Sequence, residues 1–144
     1  MKWGNGAIVE NEWKIINSFV TEYDVKSVIE YGYGVSTTLF YFIGTNIVTY
    51  ESNPGWFIKG IAAGYNLVMW DACSMLPLRK ADMVFIDGPL GDREWSFKNA
   101  VLQSDLIVVH DAGRERKLRT KYLSNYKKLA GDGRLVICRK ENNV

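Results

Sequence analysis

Ser27-Val28-Ile29-Glu30-Tyr31-Gly32-Tyr33-Gly34-Val35-Ser36-Thr37-Thr38-Leu39 decides how the rest of this chain is read. A short apolar run stops at a carboxylate, turns through two spaced glycines and re-enters a helical pattern. The order predicts a strand, a tight bend and a helix start. Glycine suits such a bend because a backbone that approaches a ligand needs positive φ and no Cβ in the way. Spaced glycines also occur in purely structural strand-to-helix turns, so the bend needs support from elsewhere in the chain.

That support is a series of acids at the ends of β-rich runs. Asn46-Ile47-Val48-Thr49-Tyr50-Glu51 lies about 20 residues past the first bend, the spacing at which a dinucleotide-type site places its ribose-binding acid. Asn66-Leu67-Val68-Met69-Trp70-Asp71 and Ala81-Asp82-Met83-Val84-Phe85-Ile86-Asp87 each close on Asp, and Asp105-Leu106-Ile107-Val108-Val109-His110-Asp111 closes on His-Asp. In a parallel sheet the carboxyl ends of the strands share one edge, so these acids would gather around one crevice.

Between the runs lie helical patterns. Val9, Trp13, Ile16, Phe19 and Val20 recur at helical spacing before the first strand. Ser36 or Thr37 is expected to cap a helix that runs to Ile43 and stops at Gly44. Asn53-Pro54-Gly55 starts another, with Trp56, Phe57, Ile61 and Ala62 as its apolar face. Only a turn fits between Ala72 and Lys80. A helix follows from Arg93 to Gln103, and a basic helix is expected over Arg114–Leu129, with Leu118, Tyr122 and Leu129 toward the core. Gly131-Asp132-Gly133 then leads into a last strand, Arg134–Cys138. Strands alternating with helices predict an α/β chain: a three-layer αβα sandwich on a doubly wound, mostly parallel, Rossmann-like sheet of about six strands.

The 144 residues suffice for one domain, 1–144, with 47% hydrophobic and 24% charged content, ordinary for a globular protein. No apolar run approaches the ~20 residues that cross a bilayer, and Met1 to Trp13 has no signal-peptide core, so cytoplasmic residence is the expectation. Cys73 and Cys138 lack metal or redox spacing and are expected as buried, reduced thiols. The net charge of +2 hides an asymmetry: 8 Lys/Arg stand against 13 Asp/Glu up to residue 113, and 10 against 3 beyond it. The basic stretch is either a solvated face or a contact for a phosphate-bearing or acidic partner.

Taken together, these residues resemble a class I S-adenosylmethionine-dependent methyltransferase over most of the chain, from about Val28 to Lys140. Glu30-Tyr31-Gly32-Tyr33-Gly34-Val35-Ser36 is similar to the family's first motif, acid-x-Gly-x-Gly-x-Ser/Gly. The resemblance implies S-adenosyl-L-methionine as cofactor, bound at Glu30, Gly32, Tyr33, Gly34, Ser36, Thr37, Glu51, Ser52, Asp71, Ala72 and Asp87. Glu51 would hold the ribose and Asp71 the adenine amino group. Ala81–Gly88 would lie beside the reacting methyl. Glu30 and Asp87 would offset the positive charge of the methionine end.

Methyl transfer is an in-line displacement that alignment and water exclusion do much to promote. An oxygen or nitrogen acceptor still has to lose a proton, and Asp87, His110 and Asp111 are the candidate bases. The alternative for His110 is a strand-end residue bonded only to nearby backbone. Asp87 and Asp111 also match two positions of a metal-holding branch, but Ala112 stands where that branch has Asn, so no metal is expected. The family ends on a pair of strands, whereas only one clear strand is legible here, and its direction is open. With no inserted cap, either a homodimer partner completes the pocket or a large acceptor docks onto an open cleft.

The acceptor implied is a small molecule or a macromolecule. Two other classes compete. Gly32-x-Gly34 with Glu51 also suits an NAD(P)-dependent oxidoreductase, although Thr37 is a poor third small residue for that fingerprint. A catalytically inactive module could use residues 114–128 to hold nucleic acid.

Overall fold

The computed structural model describes residues 7–131 and 134–142. Asp132 and Gly133 of the expected last turn, and the first six residues of the chain, lie outside the described residues. The elements run α1 Glu10–Glu22, β1 Ser27–Tyr31, α2 Val35–Phe42, β2 Asn46–Glu51, α3 Pro54–Ala62, β3 Leu67–Met69, β4 Met83–Ile86, α4 Glu94–Gln103, β5 Leu106–His110, α5 Arg116–Tyr122, β6 Tyr126–Gly131 and β7 Leu135–Lys140. The strands form one sheet in the order β3-β2-β1-β4-β5-β7-β6, parallel except that β7 runs antiparallel to both β5 and β6.

Period-two alternation divides the core between the two sheet faces. Val28, Ile47, Met83, Phe85, Leu106 and Val108 pack with Trp13, Ile16 and Val20 of α1 and Phe40 of α2. Ile29, Tyr31, Val48, Val84, Ile86, Ile107 and Val109 point the other way and pack with Phe97 and Ala100 of α4. The same alternation puts Glu30, Thr49, Glu51 and His110 on the α1–α2 face. That is the setting of the site.

No helix follows β3. Its place on the α4 face is taken by the loop after it, where Trp70 packs on Tyr31 and Tyr50, with ring centroids 5.3 and 6.3 Å away. Asn99 of α4 pins this loop by accepting from Leu76 N (2.7 Å) and donating to Ser74 O (3.1 Å).

Four expectations need correction. The basic helix stops at Tyr122, and Tyr126–Gly131 is an edge strand, which brings the expected sheet of about six strands to seven. Lys127 and Lys128 face solvent on that edge, where charge discourages pairing with another sheet. The N-cap of α2 is Gly34 rather than Ser36 or Thr37; Thr37 instead accepts from Gly34 N through its hydroxyl (3.1 Å). Helix α3 has the expected Asn53 cap, which accepts from Trp56 N (3.1 Å), but Trp56 and Ile61 are exposed. Its buried contact is Gly60, where a Cβ would come within 2.4 Å of the Leu67 side chain. Finally, Cys138 is buried as expected, whereas Cys73 is exposed. Among the described residues no helix is long and apolar enough to cross a membrane.

Candidate active site

The bend between β1 and α2 is held from three sides. Gly32 adopts φ +95°, and its N–H donates to Tyr50 O (2.9 Å). A Cβ on Gly32 would sit 2.9 Å from Asp87 O, and one on Gly88 would sit 3.0 Å from the Gly32 Cα. The bends after β1 and β4 therefore touch backbone to backbone, which only paired glycines permit. Gly34 differs: its backbone is extended, with φ −177°, and a Cβ there would meet nothing within 4 Å. Space is open beside it.

Below the bend lies Glu30, fully buried. Ser36, Thr37 and Thr49 donate their hydroxyls to its carboxyl, Thr49 at 2.9 Å. Burial pushes its pKa up to about 8, against the pull of these three hydroxyls and with a further push from Asp87. The sequence places Glu30 against an ammonium group; the structure places it beneath the loop, where it organises Ser36 and Thr37. Through Thr37 it also reaches the Gly34 amide.

Glu51 closes the bend from the side. Its Oε1 accepts from Tyr33 N (3.0 Å), and its Oε2 accepts from Ser52 N (2.8 Å) and Asn53 N (2.9 Å). The Tyr33 ring turns toward α3 and packs near Trp56 and Tyr65. Asp71 stands exposed past the end of β3, where its Oδ1 accepts from Cys73 N (3.0 Å) and the Ser74 hydroxyl (2.8 Å). Those bonds hold its pKa below the usual carboxylate value. Ala72 follows with φ +63° and packs partly buried against the core.

The strand ends of β4 and β5 bring a second group together. Asp87 Oδ1 lies 2.9 Å from His110 Nδ1, and Asp111 Oδ2 lies 3.8 Å from the same nitrogen. Across the ring, His110 Nε2 is 3.2 Å from Glu12 Oε1 of α1, with Arg134 Nε 3.4 Å away. The ring is fully buried and bonded to side chains rather than to nearby backbone. Burial alone would lower its pKa, but the hydrogen bond and charge of Asp87, with Asp111 and Glu12, raise it above the ordinary value. Asp87, His110 and Asp111 offer ligand atoms within 4.8 Å of one another, close enough to hold a metal ion. Of these atoms, Asp87 Oδ1 and His110 Nδ1 also lie within hydrogen-bond distance of each other.

Sequence reasoning missed three partners. Arg93 is buried: its Nε donates to Pro89 O (2.9 Å) and its Nη1 to His110 O (3.1 Å), with Asp111 at 3.8 Å and Glu115 at 3.7 Å. It ties the loops after β4 and β5 together. Glu12 left a trace in the sequence, since it lies four residues before Ile16 on the core-facing stripe of α1. Gly88 left none beyond being a glycine.

No family model matches the chain, and no curated protein matches it in sequence. Solved structures do match in shape. A TehB-like SAM-dependent methyltransferase from Corynebacterium glutamicum has a TM-score of 0.69 at 10% identity, over 95% of this chain and 91% of that one. The SAH-bound Podospora anserina methyltransferase PaMTH1 gives 0.66 at 14% identity, over 96% and 81%. The 16S rRNA N2 G1207 methyltransferase RsmC of T. thermophilus, in complex with AdoMet and guanosine, gives 0.61 at 13% identity, over 81% of this chain and 35% of that one. The chain has the Rossmann-like fold of these SAM-dependent methyltransferases.

Proposed function

We propose that this chain binds S-adenosyl-L-methionine along the carboxyl ends of β1, β2 and β4 and moves its methyl group to an oxygen or nitrogen of an acceptor. The observation that carries the reading is the open space at Gly34, on a rim flanked by Glu51 and Asp87. Open backbone at this bend suits a ligand that lies against the main chain. The acids suit a cation bearing ribose hydroxyls. A likeness in fold to methyltransferases supports the same reading.

In this proposal Gly32, Tyr33 and Gly34 present backbone to the cofactor, with Ser36 and Thr37 fixing the loop from beneath. Glu51 and Ser52 take the ribose, Asp71 and Ala72 the adenine side, and Asp87 the methionine end. Glu30 acts through the loop. The cofactor supplies an electrophilic methyl on a positively charged sulfur. The proton released by the acceptor passes to Asp87, whose Oδ1 is oriented by His110. His110 has no exposed surface, so it is a positioning residue, with Glu12 holding its far side. Asp111 is the other base within reach of the pocket, one-third exposed. We place the activity in the cytoplasm.

Ligand-induced stabilisation tests this directly. S-adenosylhomocysteine at 100 times its dissociation constant should stabilise the fold by about 2.7 kcal/mol, and NADH should not. Stabilisation by NADH alone would make the oxidoreductase reading the correct one. Asp87→Asn should reduce turnover more than S-adenosylhomocysteine affinity. Equal losses would leave Asp87 a cofactor ligand only.

A further inference from the structure

A cavity of about 630 Å³ lies between the loop after β4 and the loop that leads into α5. Its size is that of a small-molecule site, for which about 300–1,000 Å³ is usual. Arg93 forms one wall, and the same side chain bonds His110 O and approaches Asp111. Through Arg93 the cavity is joined to the strand end that carries His110 and Asp111.

The charges around it are unequal in their commitments. Arg93 is taken up by Glu115 and Asp111, while Asp92, whose Oδ1 accepts from Glu94 N at the start of α4 (2.9 Å), leaves one negative charge on the rim against three positive ones. Arg114, Arg116 and Lys117 also line the cavity, are exposed, and form no ion pair among the described residues. Three exposed cations within four residues make a positively charged patch that attracts anions. Two guanidinium forks and an ammonium suit the several oxygens of a phosphate.

We infer that the methyl acceptor is a small molecule carrying a phosphate group, held in this cavity by Arg114, Arg116 and Lys117. The inference rests on the methyltransferase reading for the word acceptor, but the anion site stands or falls separately. A small acceptor is favoured over nucleic acid because the remaining basic residues do not continue the same stripe. Lys121 is bound to Glu94 (2.7 Å), Arg119 donates to Ala112 O (2.9 Å), and Lys127 and Lys128 lie on β6.

The test is a titration of the whole protein with inorganic pyrophosphate, followed by amide NMR, with sodium acetate and a 12-nucleotide RNA as separate arms. Pyrophosphate should shift Gly91, Gly113 and residues 114–117 and saturate. The triple variant Arg114→Gln, Arg116→Gln, Lys117→Gln should bind it at least tenfold more weakly while keeping S-adenosylhomocysteine affinity within twofold. Each of three results would overturn the inference: no saturable shift in these residues, equal affinity in the variant, or acetate binding as tightly as pyrophosphate. RNA that binds more tightly and spreads its shifts over Lys127 and Lys128 would replace it with a nucleic-acid surface. If pyrophosphate binds as described and S-adenosylhomocysteine does not bind the native protein, the anion site survives and the methyltransferase reading fails.

Discussion

Replacing Glu30 by Gln tests the idea that a neutral acid supports the bend. In the folded chain this group keeps its proton up to about pH 8, against an ordinary value of 4.5. Between those limits the unfolded chain has released a proton that the folded chain still holds, so stability must fall as pH rises through the window. The total fall attributable to Glu30 is on the order of a few kcal/mol, because each pKa unit is worth about 1.4 kcal/mol. Glutamine has nearly the same shape, can bond Ser36, Thr37 and Thr49, and cannot ionise. Urea unfolding followed by tryptophan fluorescence at pH 5, 6.5, 8 and 8.5 gives the comparison. At pH 5 the variant should match the native protein to within about 1 kcal/mol, the value of one hydrogen bond. By pH 8.5 it should be the more stable of the two by a few kcal/mol. His110, whose pKa is also raised, contributes a stability loss of the same sign as pH climbs from its unfolded value through its folded one. That contribution is common to both proteins and cancels in the difference. Asp71 and Glu94 are depressed, and their contributions disappear only as pH falls below the ordinary carboxylate range. Parallel pH profiles for the two proteins would mean that Glu30 is ionised under its hydroxyls, and the reasoning would be wrong.

The two glycines of the bend should respond oppositely. Gly32→Ala forces a side chain to φ +95° and against Asp87 O, so unfolding free energy should drop by about 1–3 kcal/mol from the backbone conformation alone. Gly34→Val should unfold in urea like the native chain yet lose S-adenosylhomocysteine in titration calorimetry, and unimpaired binding would move the cofactor elsewhere. Arg93→Met should cost about 3–5 kcal/mol in urea, since Asp111 and Glu115 would lose their buried countercharge. A loss below 1 kcal/mol would show that the guanidinium is not a tie between the two loops.

Local pattern carried the reading of the first five strands and of α1 to α4, because each strand is an apolar run closed by an acid or a His-Asp pair, α2 to α4 begin near a visible breaker, and α1 shows in the spacing of its apolar residues. The basic stretch misled for a physical reason. Leu118, Tyr122, Tyr126 and Leu129 keep helical spacing, and a lysine-bearing edge strand has the composition of a solvated helix face. Only pairing with β7 reveals Tyr126–Gly131 as a strand, and that pairing is long-range. Within the site, the acids at Glu51, Asp87 and Asp111 were legible, whereas what each one touches was not. Glu12 meets His110 across 98 positions of sequence, and Arg93 acts through carbonyls that leave no trace in composition.

The contact of Gly32 with Gly88 makes one mechanical unit of two turns that belong to different halves of the fold. Neither can lift away without opening a gap behind the other, and neither can settle inward without a collision of main-chain atoms. Pressure on the first turn is thus passed to the second with no side chain in between. The same stiffness fixes the spacing from Gly34 to Asp87, so a molecule bridging them meets a ruler of set length rather than a flexible jaw.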